Sequence, residues 1–180
     1  YGEDYSEVFI NSNGFISFGS GSIVYNNSAI PEMGIPNNLI ALFWDDLNPA
    51  SGGTIEYGQI DNSWICSFTN VREYGGSGTI SAQVILTEND EIFFQYLDFS
   101  NGLDINGETI GIENSTGTAG LLVSLDSNPA SYPEEGLAIE FYRLEPDASV
   151  SGMVTDQETQ ESIPGAEVNF GAVSASTDES

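Results

Sequence analysis

The residues of this chain best placed to do chemistry are packed into one stretch, Phe43-Trp44-Asp45-Asp46-Leu47-Asn48-Pro49. Two adjacent carboxylates after an apolar run, joined by Asn48 and backbone carbonyls, could supply hard oxygens to calcium, which takes about six to eight of them. A competing reading has Asp45 and Asp46 bonded to backbone amides in an Asx-type turn, with Trp44 and Leu47 anchoring the core. Asp98, Asp104 and Asn106 form a second acidic loop. Neither loop requires a cofactor, and calcium on Asp45, Asp46 and Asn48 is the one candidate.

Catalysis is harder to assemble. The chain has no histidine, and its only basic residues are Arg72 and Arg143. That removes Ser-His-Asp, Cys-His and Ser-Lys sites, along with histidine-containing zinc sites. Paired carboxylates for glycoside hydrolysis remain available, but among 28 acidic residues some pair falls at a suitable separation by chance. The chain therefore reads as a protein that is not an enzyme. Without lysine, a Lys-Asn isopeptide crosslink is excluded as well. Cys66, the single cysteine, alternates with Trp64 and Phe68 on one face of a run and reads as a small buried apolar side chain. Asn26-Asn27-Ser28 and Asn114-Ser115-Thr116 match the glycosylation tripeptide. Tyr1, Tyr5, Tyr25, Tyr57 and Tyr74 fall in or near predicted loops. They could form a carbohydrate platform or pack over sheet edges.

A net charge of −26 on 180 residues excludes a nucleic-acid groove and an anionic membrane surface, because both need clustered cations. Hydrophobic residues at 39% and aromatics at 11% mark a folded acidic protein and not an acidic tail. Self-repulsion on this scale favours a saline or calcium-containing setting outside the cell, so an extracellular or cell-surface location is expected. No apolar run approaches the roughly 18 residues of a membrane span. The chain starts at Tyr1 without methionine and reads as a mature or excised piece.

Short strands must position these residues. Predicted strands are Glu7 to Ile10, Gly14 to Phe18, Leu39 to Trp44, Thr54 to Gly58, Ser63 to Thr69, Thr79 to Thr87, Glu91 to Leu97, Glu108 to Glu113, Gly120 to Leu125 and Gly136 to Leu144. Strand starts about ten residues apart, separated by Gly, Asn, Asp and Pro, predict an all-β antiparallel sandwich. Ile80, Ala82, Val84 and Leu86 share one face, and across an Asn89-Asp90 turn Ile92, Phe94 and Tyr96 meet the same core. Leu137, Ile139 and Phe141 repeat the pattern with Glu140 opposite. Leu39 to Trp44 is apolar throughout, as expected of a central strand covered on both faces.

Glu145-Pro146-Asp147 ends the body and divides the chain into a sandwich module at 1–145 and a β segment at 146–180. Two strand-like runs, Val150 to Val154 and Ala166 to Ala172, lie either side of a polar turn and Pro164-Gly165. Two strands are too few to bury a core alone, so the segment is expected to be part of a second β-sandwich completed by other polypeptide.

The series YGEDYSEVFINSNGFISFG, PNNLIALFWDDLNP, GTIEYG, SWICSFTNV, ISAQVILTENDEIFFQYLD, ETIGIENSTGTAGL and GLAIEFYRL resembles a β-sandwich module of large secreted bacterial proteins. That module accompanies subtilisin-like peptidases and adhesins and is similar to nidogen-type extracellular domains. The tail VSGMVTDQETQESIPGAEVNFGAVSASTDES resembles the start of a carboxypeptidase regulatory-like domain, a transthyretin-like sandwich without catalytic residues. Both resemblances are cut short at the ends of the chain, which implies exposed sheet edges able to accept another strand. The function expected is that of a non-catalytic structural module of an extracellular fibre, sheath or adhesin, assembled by strand donation. Its partners would be neighbouring copies or adjacent domains. The alternative is a non-catalytic accessory domain of a secreted subtilisin-like peptidase, whose gene would carry an upstream histidine-bearing protease domain.

Overall fold

Alternating side chains build the larger unit. The computed structural model describes residues 3–126, 128, 133–143, 153–170 and 173–177. The chain divides into two units, Tyr1–Arg143 and Leu144–Ser180. In the first unit, strands β1 (Phe9–Asn11), β2 (Phe15–Ser17), β3 (Leu39–Trp44), β8 (Thr109–Glu113) and β9 (Gly120–Leu125) form one sheet, ordered β1-β2-β3-β8-β9. Strands β4 (Thr54–Ile60), β5 (Ser63–Arg72), β6 (Thr79–Thr87), β7 (Ile92–Ser100) and β10 (Ala138–Phe141) form the other, ordered β10-β7-β6-β5-β4. Every pairing is antiparallel. Among the described residues the only helical element is a 3-10 turn at Pro49–Ser51. This is the predicted all-β sandwich, with all ten predicted strands of the body present.

The core lies between the sheets. Ile40, Leu42 and Phe43 from β3, Ile110 and Ile112 from β8, Cys66 and Phe68 from β5, Val84 from β6 and Phe94 and Tyr96 from β7 are buried together there. Each fully buried side chain of this size contributes about 1.5–3 kcal/mol. The predicted β6–β7 hairpin is present, with Val84 opposite Phe94, Leu86 opposite Ile92 and Asp90 at φ +61° in the turn. Alternation fails once in β3. Leu42 and Phe43 both enter the inter-sheet core while Trp44 turns to the opposite face, and the β3–β8 register shifts between Ala41 and Trp44. A bulge of this kind re-aims side chains at the end of a strand.

Trp44, Phe15, Leu39 and Ala41 form a second cluster with Ile30 and Val24, contributed by the segment between β2 and β3. β3 is thus the middle strand of its sheet, buried at all six residues. The turn before β2 needs glycine. Gly14 has φ +80°, and a Cβ there would lie 1.8 Å from the Phe43 carbonyl oxygen.

Some boundaries differ from expectation. β5 continues to Arg72 and β7 to Ser100, because shifts between Phe68 and Val71 and between Ser81 and Ala82 absorb residues that would otherwise end the ladder. Tyr57 lies inside β4, not in a loop.

The second unit contains a hairpin, β11 (Glu167–Phe170) with β12 (Val173–Ser176), and a bridge from Thr155 to Ser162. The run predicted at Ala166 to Ala172 contains β11, while β12 beyond it was not predicted. Residues 150–152 of the other run, and Glu145-Pro146-Asp147, lie outside the described residues. Met153 and Val154 belong to no strand.

Candidate functional site

The Asp45–Asn48 loop leaves β3 through the bulge and is tied down on two sides. The Asp45 and Leu47 amides reach the Asn13 backbone carbonyl at 3.2 Å and the Asn13 side-chain oxygen at 3.0 Å. The Tyr74 amide donates to the Asp46 carbonyl at 2.7 Å, and the Asn48 amide donates to the Arg72 carbonyl at 2.6 Å. Buried Trp44 and Leu47 fix the loop from below. The loop is thus positioned by the β1–β2 turn at Asn13 and by the end of β5 and the segment after it.

Its carboxylates divide their roles. Asp45 Oδ1 accepts the Asp46 amide at 2.7 Å, while the Asn48 side chain donates to Ser51 Oγ at 2.7 Å. Burial pushes the Asp45 pKa up, partly offset by the Asp46 amide and reinforced by the charges of Asp104, Asp46 and Glu73. The fold therefore brings the two acidic loops of the sequence to one place, although they were read as separate. Glu73 links them: its Oε1 accepts the Gly78 amide at 3.2 Å and its Oε2 the Asp104 amide at 3.1 Å. Asp104 Oδ1 in turn accepts the Asn106 amide at 2.9 Å and its side chain at 2.8 Å, which lowers the Asp104 pKa. Asp98 is engaged by the Ser100 hydroxyl. Among the described residues no three acidic side chains converge as a ready metal cage.

Sequence reading missed Glu73, which lies in no motif, and Glu108, which is fully buried. Ser124 Oγ donates to Glu108 Oε1 at 2.6 Å, and the Glu108 charge adds to burial in holding the Tyr96 phenol well above its usual pKa. Glu113 is also buried; it accepts the Glu32 amide at 2.7 Å, and burial raises its pKa. Cys66 sits fully buried between the sheets, as predicted, with its thiol pushed up to about 12 by burial. Asn114 uses its side chain to accept the Thr118 and Ala119 amides in the β8–β9 turn.

The open margins are a second candidate surface. β9 is the last strand of its sheet, carries no charge and no proline, and exposes Leu121 by 60% and Leu122 by 43%. β4 closes the other sheet with seven residues and exposes Tyr57 and Ile60. Among the described residues no strand pairs with the outer margin of either.

A family model described as NIDO related matches residues 1–164. The chain belongs to the NIDO-related family. NIDO-like domains are typically extracellular and generally non-catalytic. The NIDO-related match passes beyond the predicted boundary at residue 145 and includes the Thr155–Ser162 bridge. No curated protein and no solved structure matches the chain. No described helix is long and apolar enough to cross a membrane.

Proposed function

We propose that this NIDO-related module is a non-catalytic structural unit of an extracellular fibre, sheath or adhesin, joined to neighbouring copies by pairing of edge strands. The observation that carries the reading is β9, an uncharged six-residue edge with two exposed leucines in a chain of net charge −26. Soluble proteins ordinarily blunt such an edge with charge, proline or a covering element. An added strand would satisfy its backbone groups and cover Leu121 and Leu122. On this reading the second unit is the start of a carboxypeptidase regulatory-like domain in a secreted bacterial protein. Calcium at Asp45, Asp46 and Asn48 would offset repulsion between copies, which calorimetric titration with calcium tests.

Electron microscopy and sedimentation over a concentration series test the assembly. Polymers with a regular rise are expected, and Leu122→Lys should abolish them while leaving the monomer folded. A strictly monomeric wild-type chain at high concentration, or a Leu122→Lys variant that polymerises equally, sinks the reading.

A further inference from the structure

Arg72 is an exception to the charge of this molecule. The sequence has 28 acidic residues against two basic ones, yet among the described residues Arg72 forms no ion pair and its guanidinium has no hydrogen-bond acceptor. It stands at the end of β5, half-buried, next to Val71, whose side chain is fully buried in the core. Its backbone is held on both sides, donating to the Gly52 carbonyl at 3.3 Å and accepting the Asn48 amide at 2.6 Å. Gly52 lies alongside the stem, at a distance where even a Cβ would make only ordinary contact, 3.7 Å from Arg72 Cδ.

Arg72 lines a recess of about 510 Å³ with Ser51, Gly52, Asn70, Ser77, Thr79 and Asn101. These walls are hydroxyls and amides, without a carboxylate and without an aromatic ring. Several already have one partner that orients them. Ser51 Oγ accepts from Asn48 at 2.7 Å, which leaves its hydroxyl proton to donate. Asn70 Oδ1 accepts from Ser81 at 3.3 Å, which leaves its amide protons available. Ser77 Oγ donates to the Asn101 carbonyl at 3.1 Å, which leaves its lone pairs to accept. The recess therefore combines one permanently cationic side chain with hydroxyl and amide side chains that keep donors and acceptors to spare.

A guanidinium recognises a carboxylate through paired N–H donors in a fixed fork, and it cannot lose its charge to escape partial burial. The volume lies within the range of small-molecule sites, about 300–1,000 Å³, but the lining suits hydroxyls and not hydrocarbon. The field of the whole chain limits the ligand further, because every additional negative charge meets repulsion from the surrounding acidic surface. We propose that the Arg72 recess binds an acidic monosaccharide, with its single carboxylate on Arg72 and its hydroxyls on the surrounding Ser, Thr and Asn side chains. This site is independent of the edge pairing proposed above.

The test is a nitrogen-edited NMR titration with galacturonate, using galactose and acetate as controls. Saturable shifts of the Arg72 side-chain N–H and the Asn70 and Thr79 amides are expected with galacturonate and not with galactose. Acetate should bind more weakly, since it lacks the hydroxyls. Arg72→Gln should weaken galacturonate by about tenfold or more, the loss of a charge-assisted pair. Arg72→Lys, which keeps the charge without the fork, should fall between the two. The proposal is overturned by equal binding of galactose, by acetate binding as tightly as galacturonate, by an unaffected Arg72→Gln variant, or by no saturable shift. It is overturned too by Arg72 shifts that follow protein concentration without added sugar, which would assign the recess to a carboxylate of a neighbouring copy.

Discussion

Asp45 and Glu113 both have pKa values raised mainly by burial, and the sign of their effect on stability follows. Each binds its proton more tightly when folded than when unfolded, so between the two values the folded state holds more protons and stability falls as pH rises. Above its folded-state value each is charged and the full penalty is present. Asp104, lowered by its Asn106 bonds, acts in the opposite sense, and its contribution is lost only as pH falls through its lowered value. The melting temperature should therefore rise as pH is lowered from neutrality through the raised values of Asp45 and Glu113, then fall in stronger acid as Asp104 is protonated. A calorimetric pH series on wild type and Asp45→Asn checks this, and the variant should show a smaller rise. Tyr96 offers a second test, because its hydroxyl donates to the buried Leu42 carbonyl at 2.6 Å. Tyr96→Phe should cost about 1–3 kcal/mol by denaturant unfolding. At this scale the sequence was informative about types more than about neighbours. Asp45 and Asp46 stand out in a row, whereas Glu73 and Arg72 meet that loop across more than twenty residues that no local pattern connects.

Strands were the most legible elements. Two-residue alternation marked Ile80 to Leu86 and Ile92 to Tyr96 as facing one core, and an unbroken apolar run marked β3 as central. Register shifts were not legible, since a bulge changes where a side chain points without changing which residues are apolar. Hence Leu42 and Phe43 point the same way against simple alternation, and β5 and β7 outlast their predicted ends. Edges were also invisible, because neighbours in a sheet are set by topology. Only the order β1-β2-β3-β8-β9 shows that the uncharged strand Gly120–Leu125 is left at a margin. An edge of this kind, proposed here for assembly, should protect its amides from hydrogen exchange in polymer far more than in monomer.

Over the whole molecule, a charge of −26 opposes compaction, while two five-stranded sheets enclose a core of aromatic and aliphatic side chains. Salt at about 0.1 M screens charges beyond roughly 10 Å. Raising ionic strength from a few millimolar should therefore increase the melting temperature, and scanning calorimetry at matched pH checks it; a flat response would mean that the carboxylates are already locally compensated. The site at the Asp45 loop draws on both sheets, since Asn13 adjoins β2 of one and Arg72 ends β5 of the other.

The chain's one thiol is sealed between those layers and holds its proton in ordinary buffers. A water-borne thiol reagent can reach it only when the layers part, so its labelling rate is a clock for separation of the two leaves. Nothing need be grafted onto the protein to read that clock, and any partner that clamps the leaves together will slow it.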